Sequence, residues 1–370
     1  NLSGSWHFLR FSPIKTVNLF SNNIMAGKMK KNMLPLALLA GLLMWQCSGM
    51  EKDASVRKSL DEGINRINKA VNVISGTKGY ELMTLTDMTK SGDGFSDSIN
   101  LEMISGVYDF MPDTFVYRHF LMPFWKFDRT ADSDMLIMNM PYKLVSRPRY
   151  LFNPDPDEAD TENDFTITAS EYHYYYTFLR RFDYLLNAGF TLDGEDIGKL
   201  LVTSAGETFT GRSYSSEYSF TDDYSLEVAF ERGDTSVSSM ALREGDELLM
   251  GEENHFIHSG FRTFERKYIL TIGDVQIVRS SGVDSIEVYL AGVLQNSAAA
   301  VITDEDDSDG SVCRHRDIEL TFNDGTTARL SELMGPSLEI LKSLAGPMRE
   351  MYFARRIVDH LAMTIYYQKR

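Results

Sequence analysis

The sequence predicts an α+β protein: a large, mostly antiparallel β-sheet with an N-terminal helix and C-terminal helices packed on it. Three observations carry that expectation. Val56, Leu60, Ile64, Ile67, Val71 and Ile74 recur at steps of three and four, the single apolar stripe of a helix that covers a core. Between about residues 80 and 300 the period shortens to two, most clearly at Phe182, Tyr184, Leu186, Ala188, Phe190 and Leu192, which is the alternation of a strand with one buried face. At the end of the chain Met351, Val358, Leu361 and Ile365 return to helical spacing.

Taken in order, the first helix is expected over Asp53–Ile74, with Asp53 or Ser55 as its cap and Gly76 as a left-handed stop. Its other face (Arg57, Lys58, Asp61, Glu62, Arg66 and Lys69) is solvated. Ile99–Phe110 reads as a strand, and Met135–Met140 is a short apolar run. Asn153–Asp164 (NPDPDEADTEND) holds two prolines and six acids and is the clearest linker, a place where the globular region 53–370 could subdivide. Phe165, Ile167 and Ala169 alternate with Thr166, Thr168 and Ser170; Phe182–Leu192 follows and turns at Asp193-Gly194. Further strands fit Lys199–Thr203, Tyr214–Phe220, Ser225–Phe230, Tyr268–Ile272, Val275–Val278 and Ile286–Leu290. Ile318–Phe322 and Thr327–Leu330 form a hairpin across Asp324-Gly325. Pro347 suits a first helical position, and Arg355 with Asp359 an i,i+4 pair. Polar turns about every ten residues point to an antiparallel sheet with one exposed face.

The stretch Lys28–Asp53, KMKKNMLPLALLAGLLMWQCSGMEKD, has the order of an export signal. Lys28, Lys30 and Lys31 precede Met33–Trp45, thirteen residues without charge. That run falls short of the ~20 residues a helix needs to cross a bilayer. It resembles the signal of bacterial lipoproteins, in its relaxed Bacteroidota-type form. Met44-Trp45-Gln46 stands where the strict motif has Leu, a small residue and then Gly or Ala. The resemblance implies that Cys47 is lipidated, that 29–46 is a removed signal and that 47–52 is a tether to the cell envelope, at the outer membrane. Residues 1–28 then read as an upstream extension. The inferred sheet with helices is similar in architecture to the half-barrels of lipoprotein carriers.

Charge narrows the function classes. The chain carries 37 Lys and Arg against 53 Asp and Glu, net −16. Residues 1–46 hold five of those bases and no acid, so from Cys47 onward the balance is −21. Phosphate backbones need a basic footprint, so nucleic acid is excluded as a partner. A domain lying flat on anionic lipid is disfavoured too. With 43% apolar residues the chain can bury a large core. The two cysteines are Cys47 and Cys313; with the first acylated, no intramolecular disulfide can form.

No nucleophile elbow, phosphate loop, dinucleotide fingerprint or zincin pattern occurs. Glu171–Phe178 (EYHYYYTF) packs four tyrosines into eight residues. Alternation assigns Tyr172, Tyr174, Tyr176 and Phe178 to the core and sends His173 and Tyr175 outward, where aromatic rings can stack on sugars. In EENHFIH, His255 and His258 with Glu252 or Glu253 are metal-ligand types, although residues three apart share a face only on a helix. Asp307 and Asp309 lie in DEDDSDG, which in an EF-hand register puts Arg316 where the bidentate Glu belongs. The expectation there is a solvated turn with at most weak calcium binding, and no cofactor otherwise. The expected function is a non-enzymatic binding or scaffolding domain on a lipid anchor, with an envelope protein or glycan as partner. The alternative is an envelope hydrolase acting on glycan or lipid.

Overall fold

A computed structural model of the chain describes residues 48–84, 98–116, 124–146, 162–176, 182–207, 211–233, 235–260, 263–281, 286–295, 299–304, 316–322, 325–349 and 353–369. The signal stretch through Cys47, Asp307, Asp309, Cys313 and Met351 lie outside them. The fold is the expected α+β type: among the described residues, eighteen strands form one hydrogen-bonded sheet, with helices before and after it in the chain.

Helix α1 (Ser48–Ser75) begins before the expected caps. Its six stripe residues are all buried. Gly76 does not take a left-handed conformation; instead Gly76 N–H donates to Val73 O at 3.2 Å and Thr77 caps α2 (Lys78–Met83). The chain then turns directly into a second helix, so a left-handed stop is not required.

Ile99–Phe110 is not one strand. β1 (Ser98–Asn100) is cut off by a helical turn, α3 (Leu101–Ile104), before β2 (Gly106–Val116) begins. Asn100 Oδ1 caps that turn by accepting from Met103 N–H at 3.2 Å. A side-chain cap competing with the ladder is what alternation alone does not register. β3 (Phe124–Ala131), β4 (Leu136–Met140) and α4 (Tyr142–Ser146) follow.

The main run is a meander. It passes through β5 (Phe165–Tyr176), β6 (Phe182–Leu192), β7 (Glu195–Glu207), β8 (Gly211–Ser219) and β9 (Tyr224–Arg232). It goes on through β10 (Thr235–Glu244), β11 (Glu247–Gly260), β12 (Thr263–Ile272), β13 (Val275–Ser280) and β14 (Ile286–Leu290). The short β15 (Val293–Leu294) and then β16 (Ala299–Asp304), β17 (Arg316–Thr321) and β18 (Thr327–Arg329) complete it. Pairing gives the order β3-β2-β4-β5 and then each strand in turn to β18. β1 extends the β4 position along β5, and β15 and β16 share the far side of β14. Every pair is antiparallel except β2–β4. The sheet is open, with β3 and β18 at its edges. β4 and β5 pair directly, Met140 with Phe165, so the strands on either side of the acidic 153–164 segment belong to one sheet. Residues 153–161 of that segment lie outside the described residues.

β6 and β14 match the expected bounds residue for residue. β10 and β11 have no counterpart in the sequence reading, and the reason is visible in their burial. Met240, Leu242 and Met250 are buried, but further along the same face Ser236, Ser238 and Asn254 are polar and half-buried. No clean apolar alternation exists to be read.

The chain closes with α5 (Leu330–Met334), α6 (Pro336–Arg349), one π-helical turn (Ala354–Val358) and α7 (Asp359–Lys369). Pro347 does not start a helix; it sits in the last turn of α6, and Pro336 takes the first position instead. Together the helices cover one face of the sheet, here called inner. Gly63 of α1 lies so close to Ile272 that a Cβ would stand 2.9 Å from its Cγ2. Tyr214 donates to Met348 O on α6. Phe353 meets Phe190 edge-on at 5.0 Å. Val358, Leu361 and Ile365 are buried as expected.

Candidate functional site

Register sorts the tyrosines of β5 into two environments. Tyr172 and Tyr174 are buried on the inner face. The Tyr172 hydroxyl donates to Asp359 Oδ1 at 3.1 Å and the Tyr184 hydroxyl to the same oxygen at 2.8 Å. Burial, reinforced by the Asp359 carboxylate, pushes the Tyr172 phenol well above its ordinary pKa. Asp359 therefore lies in the core against tyrosines; the side chain of Arg355, its expected partner, lies outside the described residues. His360, also on α7, is pushed down to about 4 by burial. These are groups held for packing.

His173 and Tyr175 are half-buried on the outer face, as alternation predicts. Their rings stack at 6.5 Å with an interplanar angle of 16°. His173 Nε2 stands 3.7 Å from the Asp183 carboxylate of β6. Tyr175 pairs directly with Asp183, and the same cross-strand row continues through Ala205, Ser213 and Glu231. Small side chains at 205 and 213 leave an open channel between the ring of Tyr175 and Glu231.

That row opens into a groove of about 640 Å³ at the ends of β5–β9. The volume lies in the range of small-ligand sites. Tyr175, Phe182, Asp183, Arg212, Glu231 and Arg232 supply its chemistry, and Gly206, Gly211 and Gly233 its floor. The glycines have a local cause. Gly211 has φ of +139°, and a Cβ there would meet Arg232 O at 2.6 Å. Only glycine permits that approach of backbones. A smaller hollow of about 200 Å³ adjoins the groove through Ser213 and Glu231 and is lined by Thr203, Ser215, Ala229, Phe230, Val237 and Ser239.

The metal-ligand types of β11 are divided by the sheet. His255 lies on the outer face with Glu253, its Nε2 2.7 Å from that carboxylate. Glu252 faces inward, half-buried in a row with Met240 and Leu270, and accepts from Asn254 Nδ2 at 3.3 Å. The segment is strand throughout, so Glu252 and His255 are not brought together; the side chain of His258 lies outside the described residues. Among the described residues no three His, Cys, Asp or Glu side chains converge to hold a metal ion.

Sequence reasoning reached Tyr175 and His173 and missed Phe182, Asp183, Arg212, Glu231 and Arg232. The available signal was the crowding of glycines at 206, 211 and 233 near strand ends, which marks close backbone approach. No protein-family model, curated protein or solved structure matches the chain.

Proposed function

We propose that this chain is a lipid-anchored envelope protein whose β-rich domain binds a glycan in the groove at the ends of β5–β9, without cleaving it. One observation carries the reading: an outward aromatic pair, Tyr175 and His173, stands at an open groove lined by charged and hydrogen-bonding side chains (Asp183, Arg212, Ser213, Glu231 and Arg232) beside the apolar Phe182 and Ala205. Sugars present an apolar ring face for stacking and a rim of hydroxyls for carboxylates and guanidinium groups, and the groove offers both.

The competing reading is glycan hydrolysis, which needs two carboxylates ~5–9.5 Å apart. Asp183 and Glu231 are the two acids of the groove. They are separated by three strand steps, roughly 14 Å at about 4.8 Å each. That spacing favours binding.

Anchoring rests on the lysine-led apolar run that ends at Cys47. Several acyl chains on one residue would hold far more firmly than one, and the strongly acidic domain would stand off the membrane at the end of its tether. The protein's place is then the bacterial outer membrane.

Binding is tested on a glycan array followed by calorimetric titration of the hits. Tyr175→Ala is expected to weaken a hit at least tenfold with the thermal midpoint unchanged. An empty array, or undiminished binding by the variant, would sink the reading. Labelling with radioactive palmitate should disappear in Cys47→Ala, and persistent label would refute the anchor.

A further inference from the structure

We propose that Arg212 and Arg232 form an anion subsite within the groove, so that its ligand is an acidic glycan, one bearing carboxylate or sulfate groups. The sugar part of this inference rests on the glycan reading above; the anion part does not.

Arg212 of β8 and Arg232 of β9 are directly opposed in register. Alternation puts both on the same side of the sheet, and both are exposed. Like charges facing each other across a ladder destabilise it. Some guanidinium groups of this protein sit on carboxylates, Arg66 on Glu244 and Glu247, Arg129 on Asp132 and Arg329 on Glu319, while others, such as Arg243 and Arg279, do not among the described residues. Arg212 and Arg232 have no such partner among the described residues. This happens in a chain where acids outnumber bases by 53 to 37. The two nearest acids of the groove do not relieve the pair. Asp183 and Glu231 belong to the cross-strand row through Ala205 and Ser213, one residue out of phase with the arginines and therefore on the opposite face. The groove reaches both rows because it lies at the strand ends.

The backbone is shaped to keep the pair together. Gly211 precedes Arg212, and its left-handed conformation seats it against the Arg232 carbonyl, where any side chain would collide. A Cβ at Gly206 would press on Gly211 O at 3.1 Å and on Arg212 Cα at 3.2 Å. Glycine at both positions leaves the floor beside the guanidinium groups open. Two planar forks facing one open space match the two oxygens of a carboxylate, or the three of a sulfate ester. Tyr175 lies three strand steps from β8, roughly 14 Å. Tyr175 is on the outer face and the arginines on the inner one, so a ligand that meets both has to bend around the strand ends that the groove spans.

The test compares matched pairs at fixed ionic strength by calorimetry: oligogalacturonate with its carboxyl-reduced form, and a sulfated galactan oligosaccharide with its desulfated form. Inorganic sulfate is titrated separately. Wild-type protein is expected to prefer the charged member of at least one pair by tenfold or more, and the pair that shows this identifies the group as carboxylate or sulfate. Arg212→Gln and Arg232→Gln should each remove most of that preference, lowering affinity for the charged member far more than for the neutral one, with a thermal midpoint no lower than that of wild type. Tyr175→Ala should weaken both members alike. Equal affinity within both pairs, or a preference that survives both arginine variants, overturns the subsite. If sulfate binds in an arginine-dependent way but no oligosaccharide does, the glycan reading fails and the anion subsite stands. If no probe binds, both fail.

Discussion

Tyr172 and Tyr175 stand three residues apart on one strand and belong to different parts of the molecule. Tyr172 is 3% exposed and donates its hydroxyl to Asp359 beneath the helical layer. Tyr175 stacks on His173 at the border of an open groove. The contrast extends to the two faces of the sheet. On the inner face polar atoms are committed: Tyr214 to Met348 O, Tyr218 to Ile197 O at 3.2 Å, Ser204 to Ser213 O at 3.0 Å. On the outer face of β7–β9, Thr203, Ala205, Ser215 and Ala229 are short side chains, and of the two hydroxyls that of Ser215 donates to Glu227 Oε1 at 3.1 Å. A strand offers both environments at a spacing of one residue. Composition of a stretch therefore says nothing about which of its residues can meet a ligand, while phase says a great deal.

The contrast is broken most severely from the inner side. Phe190 is 1% exposed and ringed by Phe165, Tyr218 and Phe353. Phe190→Ala removes a packed ring that joins sheet to helices and is expected to cost about 3–5 kcal/mol. Chemical denaturation measures it, and a cost under about 1 kcal/mol would mean that the helical layer is not anchored there.

A second expected effect is acid sensitivity seated in the same layer. Burial holds His360 at about 4, below its ordinary value near 6.5. The unfolded chain takes up the proton first as pH falls, so the neutral imidazole stabilises the fold above pH 6.5. That contribution, about 3 kcal/mol, is lost as pH drops from 6.5 towards 4. Carboxylates titrate in part of the same window, so the measurement is a difference. The slope of unfolding free energy against pH between 4 and 6.5 should be shallower in His360→Gln than in wild type, by up to about 1.4 kcal/mol per pH unit. Equal slopes would show that the histidine reaches solvent.

How far the sequence disclosed all this follows from the same distinction. α1 from Val56 onward, β6 and β14 were legible because one face of each is continuously apolar and turns to the core. β10 and β11 were not, because the helices cover only part of their inner face and polar residues occupy the remainder. α3 escaped notice because one hydrogen bond from Asn100 outweighs a favourable alternation. The groove was half legible. Phase within one strand placed His173 and Tyr175 outward, but Arg212 and Arg232 are joined to Tyr175 only through the register of four hairpins, β5–β6 to β8–β9. That register is fixed by turn geometry and by bulges such as those at Ala169/Glu171 and Phe190/Thr191. Each bulge shifts the phase by one residue, and no local pattern announces it.

The gentlest way to sharpen the comparison removes a single oxygen from each face. Tyr184→Phe deletes a hydroxyl that donates to the buried Asp359 carboxylate at 2.8 Å. The Tyr172 hydroxyl stays on the same oxygen, at 3.1 Å. Hydrogen bonds to charged groups contribute about 1.5–3 kcal/mol, and the destabilisation should fall in that range. Tyr175→Phe deletes the corresponding atom where it meets solvent, and its effect on stability should stay within about 0.5 kcal/mol. Ligand affinity should reverse the order: Tyr184→Phe leaves the groove intact, whereas Tyr175→Phe keeps the ring for stacking and loses only the hydroxyl's share of polar contact. If the two variants were equally destabilised, Tyr175 would be holding the sheet together rather than bordering a site. The groove would then have to be built from Arg212 and Arg232 without it.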